Sequence, residues 1–235
     1  MTLTEVLTQL KIWGNESTKR VYKNHGAKEP LFGVKITALK LLVKKIKKDH
    51  ELALSLYKTG NSDAMYLAGL IADEDKITKE QLNDWVKKAN WYMLSEVAVA
   101  SLAAESPYGK ELAGDWIDSN QELIASAGWS TYSNLISIRD NTEIDLEEVR
   151  ALLKRVAETI HDEKNRVRYA MNGFVIAVAT YMPELKDEAL AIAESNGKVE
   201  VSMGNTSCKV PYAPEYIKKV YKKGIGGKKR KSARS

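Results

Sequence analysis

Asn83-Asp84-Trp85-Val86 recurs 31 positions later as Gly114-Asp115-Trp116-Ile117. Self-similarity at such a period marks a stacked-repeat protein. Around the two tetrapeptides, segments rich in small and apolar residues (64–72, 97–104, 125–138 and 170–180) alternate with more charged ones (79–88, 146–160 and 184–194). Both kinds carry a helical period. A stack of antiparallel helix pairs produces this alternation. Inner helices are covered by neighbours, and outer helices keep one face in water.

The units run about 30 to 43 residues, nearer to HEAT-like repeats than to the stricter tetratricopeptide or ankyrin units. The expected fold class is therefore all-α, an α-α superhelix (solenoid) of HEAT-like helical repeats, with its concave face as the usual binding surface. Outward from the repeat, residues 1–25 read as one or two short amphipathic helices anchored by Trp13 and Val21, ending at Asn24-His25-Gly26. Thr37 caps a helix over 38–48, and Thr78-Lys79-Glu80-Gln81 reads as a capping box. Further helices are expected over 91–104, 108–117, 122–138, 146–160, 166–181, 183–194 and 214–223. The stretch 198–203 is the one candidate strand. Residues 1–217 form one domain in this reading, and 218–235 a basic helix end and flexible tail.

The net charge of +5 divides unevenly. Residues 218–235 hold seven Lys, two Arg and no acid, which leaves the body with 27 basic and 31 acidic side chains. A mildly acidic body binds nucleic acid only if its cations gather on one face. One helix offers such a face, with Lys40, Lys44, Lys47 and Lys48 opposite Leu39, Leu42, Val43 and Ile46. It reads either as a phosphate contact or as a solvated surface. The tail's Lys228, Lys229, Arg230 and Lys231 read as a polybasic arm for phosphates or as a solubilising end. Its glycines lack the spacing of a P-loop, and a helix precedes them. Cys208 is the single cysteine, which excludes an intrachain disulfide and fits a reducing cytoplasm. The three histidines have no ligand spacing, no run is long enough to span a bilayer, and a monomer without metal or cofactor is expected.

Lys88-Ala89-Asn90-Trp91-Tyr92-Met93-Leu94-Ser95-Glu96-Val97 carries the chemistry. Positions four apart share a helix face, so Tyr92 sits over Glu96. A ring face and a carboxylate both attract a flat cation. The plainer reading makes the rings core and the acid solvated.

The helical stack, Gly33-Val34-Lys35-Ile36-Thr37 leading into a basic helix, and Trp91-Tyr92 followed by Glu96 together resemble the AlkD-type DNA alkylation-repair proteins, over about residues 30–220. The resemblance implies duplex DNA on the concave face and hydrolysis of the N-glycosidic bond of cationic alkylpurines such as 3-methyladenine and 7-methylguanine. It casts Glu96 and Tyr92 as catalytic, the carboxylate stabilising an oxocarbenium-like sugar and orienting water. It casts Trp91, Lys35, Lys40, Lys44, Arg166 and Arg168 as DNA contacts, beside the tail cations. The family's Asp and second Trp are here Glu96 and Tyr92. Its Arg falls near Ser126, with no basic residue between Lys110 and Arg139; Arg166 and Arg168 could supply a guanidinium from a later helix. The alternative is a catalytically silent paralogue, a scaffold for DNA or another protein.

Overall fold

Side-chain caps decide where many of the helices start. Thr2 and Thr78 close capping boxes with Glu5 and Gln81. Asn15, Asp49, Asn61 and Asp145 each accept from a first-turn N–H. The computed structural model describes residues 1–234; Ser235, the end of the expected tail, lies outside them. Among the described residues there are thirteen α-helices and no strand. They are α1 (Leu3–Trp13), α2 (Glu16–Asn24), α3 (Ile36–Ile46), α4 (His50–Lys58), α5 (Ser62–Ile71), α6 (Lys79–Lys88), α7 (Ala100–Glu105), α8 (Gly109–Ile117), α9 (Glu122–Ile138), α10 (Leu146–Thr159), α11 (Asn165–Tyr181), α12 (Lys186–Asn196) and α13 (Ala213–Lys222). A π-helical segment, Met93–Val99, runs directly into α7.

Burial sorts these elements into the two layers expected. Nine of the ten residues of α5 are buried, while α6 buries only Leu82, Trp85 and Val86. The inner row is α5, the π segment with α7, α9 and α11. Small residues let the rows approach closely: a Cβ on Gly128 of α9 would stand 2.4 Å from the backbone N of Ile117 in α8. The repeated tryptophans occupy matching places on successive outer helices. Trp85 stacks on Tyr57 at 3.9 Å, and Trp116 donates its indole N–H to Asn83 Oδ1 at 2.8 Å. Two apolar cores, one from Val6 to Ala127 and one from Ala104 to Ala233, meet at α7 and α9.

Four local expectations are corrected. Helix α3 starts at Ile36 with Lys35 at its N-cap, so Thr37 is inside the helix and caps nothing. The run 91–104 is not one α-helix, because the π segment interrupts it. Residues 198–203 form no strand. They belong to an irregular loop, 197–212, with no neighbouring strand to pair with. Asn165 holds this loop at Ser202 by hydrogen bonds in both directions, of 2.9 and 2.6 Å. Gly204 then meets the end of α2 so closely that a Cβ would lie 2.2 Å from the Asn24 carbonyl oxygen. The loop thus bridges the last repeats and the first hairpin.

The fourth correction concerns the tail, expected as a flexible arm. It is seated on the body. Stacked repeats run their inner helices in parallel, so the C-terminal ends of α11, α9, α7 and α5 stand in one row. Such ends present unpaired carbonyls and partial negative charge. The tail follows this row. Gly227 N–H donates to Thr180 O at 2.7 Å, Lys229 Nζ to Ile136 O at 2.6 Å and Arg230 N–H to Ser137 O at 2.8 Å. Arg234 then donates to Glu105 Oε2 and Ala72 O, both at 2.6 Å, and pairs with Glu74 at 2.6 Å. Ala233 is buried.

Charge-assisted hydrogen bonds of this kind contribute about 1.5–3 kcal/mol each when both groups are shielded. Arg234→Ala should therefore lower the thermal midpoint by several degrees in a melting experiment, with helix content unchanged. A midpoint equal to that of the parent chain would show that the tail is unseated in solution.

Candidate nucleic-acid interface

The π segment sets the geometry of the site. A π turn bonds each N–H to a carbonyl five residues back, and such turns are frequent at functional sites. Here it carries Glu96 into the interior while Tyr92, just ahead of it, stays half-buried. The second residue of α11, Arg166, meets them there. Arg166 Nε donates to Glu96 Oε1 at 2.8 Å, and Arg166 Nη2 donates to Glu96 Oε2. The guanidinium carbon lies 4.1 Å from the centroid of the Tyr92 ring and 4.3 Å from that of Tyr169. Glu96 is 8% exposed and Arg166 9%, so the fork is buried between two pockets, Arg166 bordering one beside Tyr92 and Glu96 bordering the other.

Burial pushes the Glu96 carboxyl up from the usual carboxylate range, and the Arg166 hydrogen bonds pull it part of the way back. Burial also opposes charge on Arg166, but Glu96 outweighs it and raises the guanidinium above its ordinary value. A planar guanidinium between two rings, with both carboxylate oxygens engaged, is the geometry Arg favours over Lys. The arrangement predicted for a flat cationic ligand is present, and the cation in it belongs to the protein.

Of the other candidates, Trp91 is not a surface residue. It is 5% exposed, packs on Tyr22 at 5.1 Å and donates Nε1–H to the His25 carbonyl at 2.9 Å, because the end of α2 folds over it. Lys35, Lys40 and Lys44 are exposed along α3. Lys40 borders a cavity of about 300 Å³ with Glu96, Ser101, Asn134 and the tail residues Arg230 and Arg234, so the tail forms one wall of the concave face. Arg168 lies two residues beyond Arg166, on a different side of α11, and does not reach Glu96; its Nε is buried without a hydrogen-bond partner. Lys228 and Lys231 remain exposed, while Lys229 and Arg230 are drawn into the body.

Sequence reasoning missed three residues. Tyr169, one helical turn after Arg166, was findable from that spacing. Asp63 accepts from the N–H groups of Phe32, Gly33 and Val34 at 2.6, 3.1 and 2.8 Å and so fixes the entry to the basic helix α3. Nothing local announces that pairing across some 30 residues, nor the seat of Arg234 on Glu105. Among the described residues no group of side chains could hold a metal ion, and no helix is long and apolar enough to cross a membrane.

Thirteen helices in this arrangement define a HEAT-like repeat protein. Residues 6–217 match the model of the DNA alkylation repair enzyme family, and the chain belongs to that family. It is 38% identical over 225 residues to an uncharacterized protein of Listeria innocua serovar 6a and equally to one of Listeria monocytogenes serovar 1/2a, covering 93% of this chain and 97% of each relative. A solved structure with a TM-score of 0.91 and 40% identity, each chain covered fully, is described as a new family of proteins related to the HEAT-like repeat DNA glycosylases with affinity for branched DNA structures.

Breaking a buried pair from one side typically costs about 3–5 kcal/mol, because the remaining charge is stranded, whereas apolar replacement of both partners is often nearly neutral. Glu96→Ala should accordingly destabilise the chain in urea unfolding by that order. The double variant Glu96→Leu/Arg166→Met should recover most of the loss. Equal instability of single and double variants would show that the pair is not the source of the effect.

Proposed function

We propose that this chain binds branched DNA on its concave face and does not excise bases. The observation that carries the proposal is Arg166 filling the cage formed by Tyr92, Tyr169 and Glu96. Loss of a cationic purine leaves positive charge on the sugar, and a carboxylate assists only while it can face that charge. Glu96 borders the concave-face cavity, but both its oxygens are committed to Arg166, so its charge already faces the protein's own cation. The family's excision chemistry would require the pair to open and a buried cation to be left without its partner. That is costly enough to make binding without hydrolysis the function this geometry supports.

Binding to DNA rests on the exposed lysines of α3. They concentrate charge that is otherwise balanced by acids, and one of them, Lys40, borders the concave face. Contacts of this kind reach phosphates and carry no sequence information. Preference for branch points is supported by the description of the solved relative. It also fits a concave face bordered on one side by the 197–212 loop and on the other by the tail. A long straight duplex must pass both borders, whereas a junction offers several short arms at differing angles.

In gel shift or anisotropy titrations, a four-way junction should bind more tightly than a linear duplex of equal length. Both affinities should fall steeply with salt. Single-turnover incubation with duplex carrying 7-methylguanine should release no base. Release of the purine, abolished by Glu96→Gln, would overturn the proposal in favour of a glycosylase. Equal affinity for junction and duplex would remove the branch preference.

A further inference from the structure

The last helix, α13, is set against the concave-face helix α11 and is firmly attached to it. Asn172 donates to the Pro211 carbonyl at 3.0 Å just ahead of α13, and Tyr221 donates its hydroxyl to Ala179 O at 2.8 Å near the end of α13. Ala213, Pro214, Ile217 and Val220 form its buried side. Its other side has an ordered composition. Tyr212, Tyr216, Lys219 and Lys223 follow one another at spacings of four, three and four, which places them in a single column along the helix.

The tyrosines are 44% and 48% exposed, and both lysines are exposed. Among the described residues neither Lys219 nor Lys223 makes an ion pair; Lys218, on the adjoining column, pairs with Glu194 instead. Single exposed aromatics are ordinary on protein surfaces. Two in register, continued by two cations that make no ion pair among the described residues, are a distinct pattern.

We infer that this column binds unpaired nucleotides of a DNA strand, with bases stacked on Tyr212 and Tyr216 and backbone phosphates paired to Lys219 and Lys223. Aromatic faces accept any base, but only bases that have left a duplex present a free face. Lysines placed beyond the rings on the same column suit the phosphates of the strand whose bases those rings hold. The inference rests on the branched-DNA reading and refines it. The substrate feature recognised at this surface is the splayed single-stranded arm rather than the angle between duplexes.

The test uses the full chain and three fluorescent probes: a linear duplex, a four-way junction with every base paired, and a fork with two unpaired oligothymidine arms. The parent chain should bind the fork more tightly than the duplex. Tyr212→Ala/Tyr216→Ala should weaken fork binding about tenfold or more, since each stacked base contributes appreciably, with junction and duplex affinities changed by less than about twofold. Tyr212→Phe/Tyr216→Phe, which keeps the rings, should bind all three probes as the parent does. A melting midpoint within a degree or so of the parent shows that the Ala pair is folded; if it is not, the Phe pair and a Lys219→Gln/Lys223→Gln variant, which should weaken fork binding selectively, carry the test. Fork affinity unaffected by the Ala pair, or an equal drop on all three probes, would overturn the inference while leaving junction binding intact. A parent chain that binds none of the probes would instead defeat the reading of DNA binding itself.

Discussion

The fork between Arg166 and Glu96 joins the third-last helix of the chain to the π turn of a middle repeat, across 70 positions of sequence. Neither charge is tolerable in that interior alone, and each tolerates the other only in this geometry. The pair therefore fixes how α9, which lies between the two elements, is flanked. It also fixes the Tyr92 and Tyr169 rings that close on the guanidinium. In a solenoid each repeat contacts chiefly its neighbours. A contact that skips one sets the curvature of the concave face more directly than any neighbouring contact does.

Parallel stacking supplies the second constraint. Because the inner helices run the same way, their ends form two rows. One row, at the starts of the π segment, α9 and α11, carries Tyr92, Glu122 and Arg166 and is bridged to α2 by the 197–212 loop. The other, at the ends of α5, α7, α9 and α11, offers carbonyls and the acids Glu74 and Glu105, and the basic tail lies along it. Lys229 and Arg234 thus direct their charge at the protein's own helix ends and the acids beside them. In the tail Lys228 and Lys231 remain exposed, as do the lysines of α3 and of the outer column of α13.

The all-helical repeat was legible because its evidence is periodic and local: the recurring Trp85 and Trp116, the small-residue inner helices, and the capping box at Thr78. The pairing of Tyr92 with Glu96 was legible too, since a spacing of four survives the π turn well enough for both to touch Arg166. What the sequence hid was the occupant of the cage. Arg166 is 70 positions from Glu96, and only the curvature of the stack brings them together. Trp91 looked like an interface aromatic because nothing in its neighbourhood shows that the end of α2 covers it. The tail looked mobile because glycines and lysines have no intrinsic structure; its order comes wholly from helix ends far away in the chain.

Hydrogen exchange at the Arg166 Nε–H, followed by arginine side-chain NMR, tests most directly whether the cage is permanently filled by the protein's own cation. A closed fork predicts a slowly exchanging guanidinium signal, separate from that of the seated Arg234, that disappears in Arg166→Lys. It also predicts that this signal keeps its shift and protection when junction DNA containing 7-methylguanine is added. Rapid exchange in the free protein, or loss of protection on adding that DNA, would mean that Glu96 opens to the groove, and would contradict a binding protein without base excision.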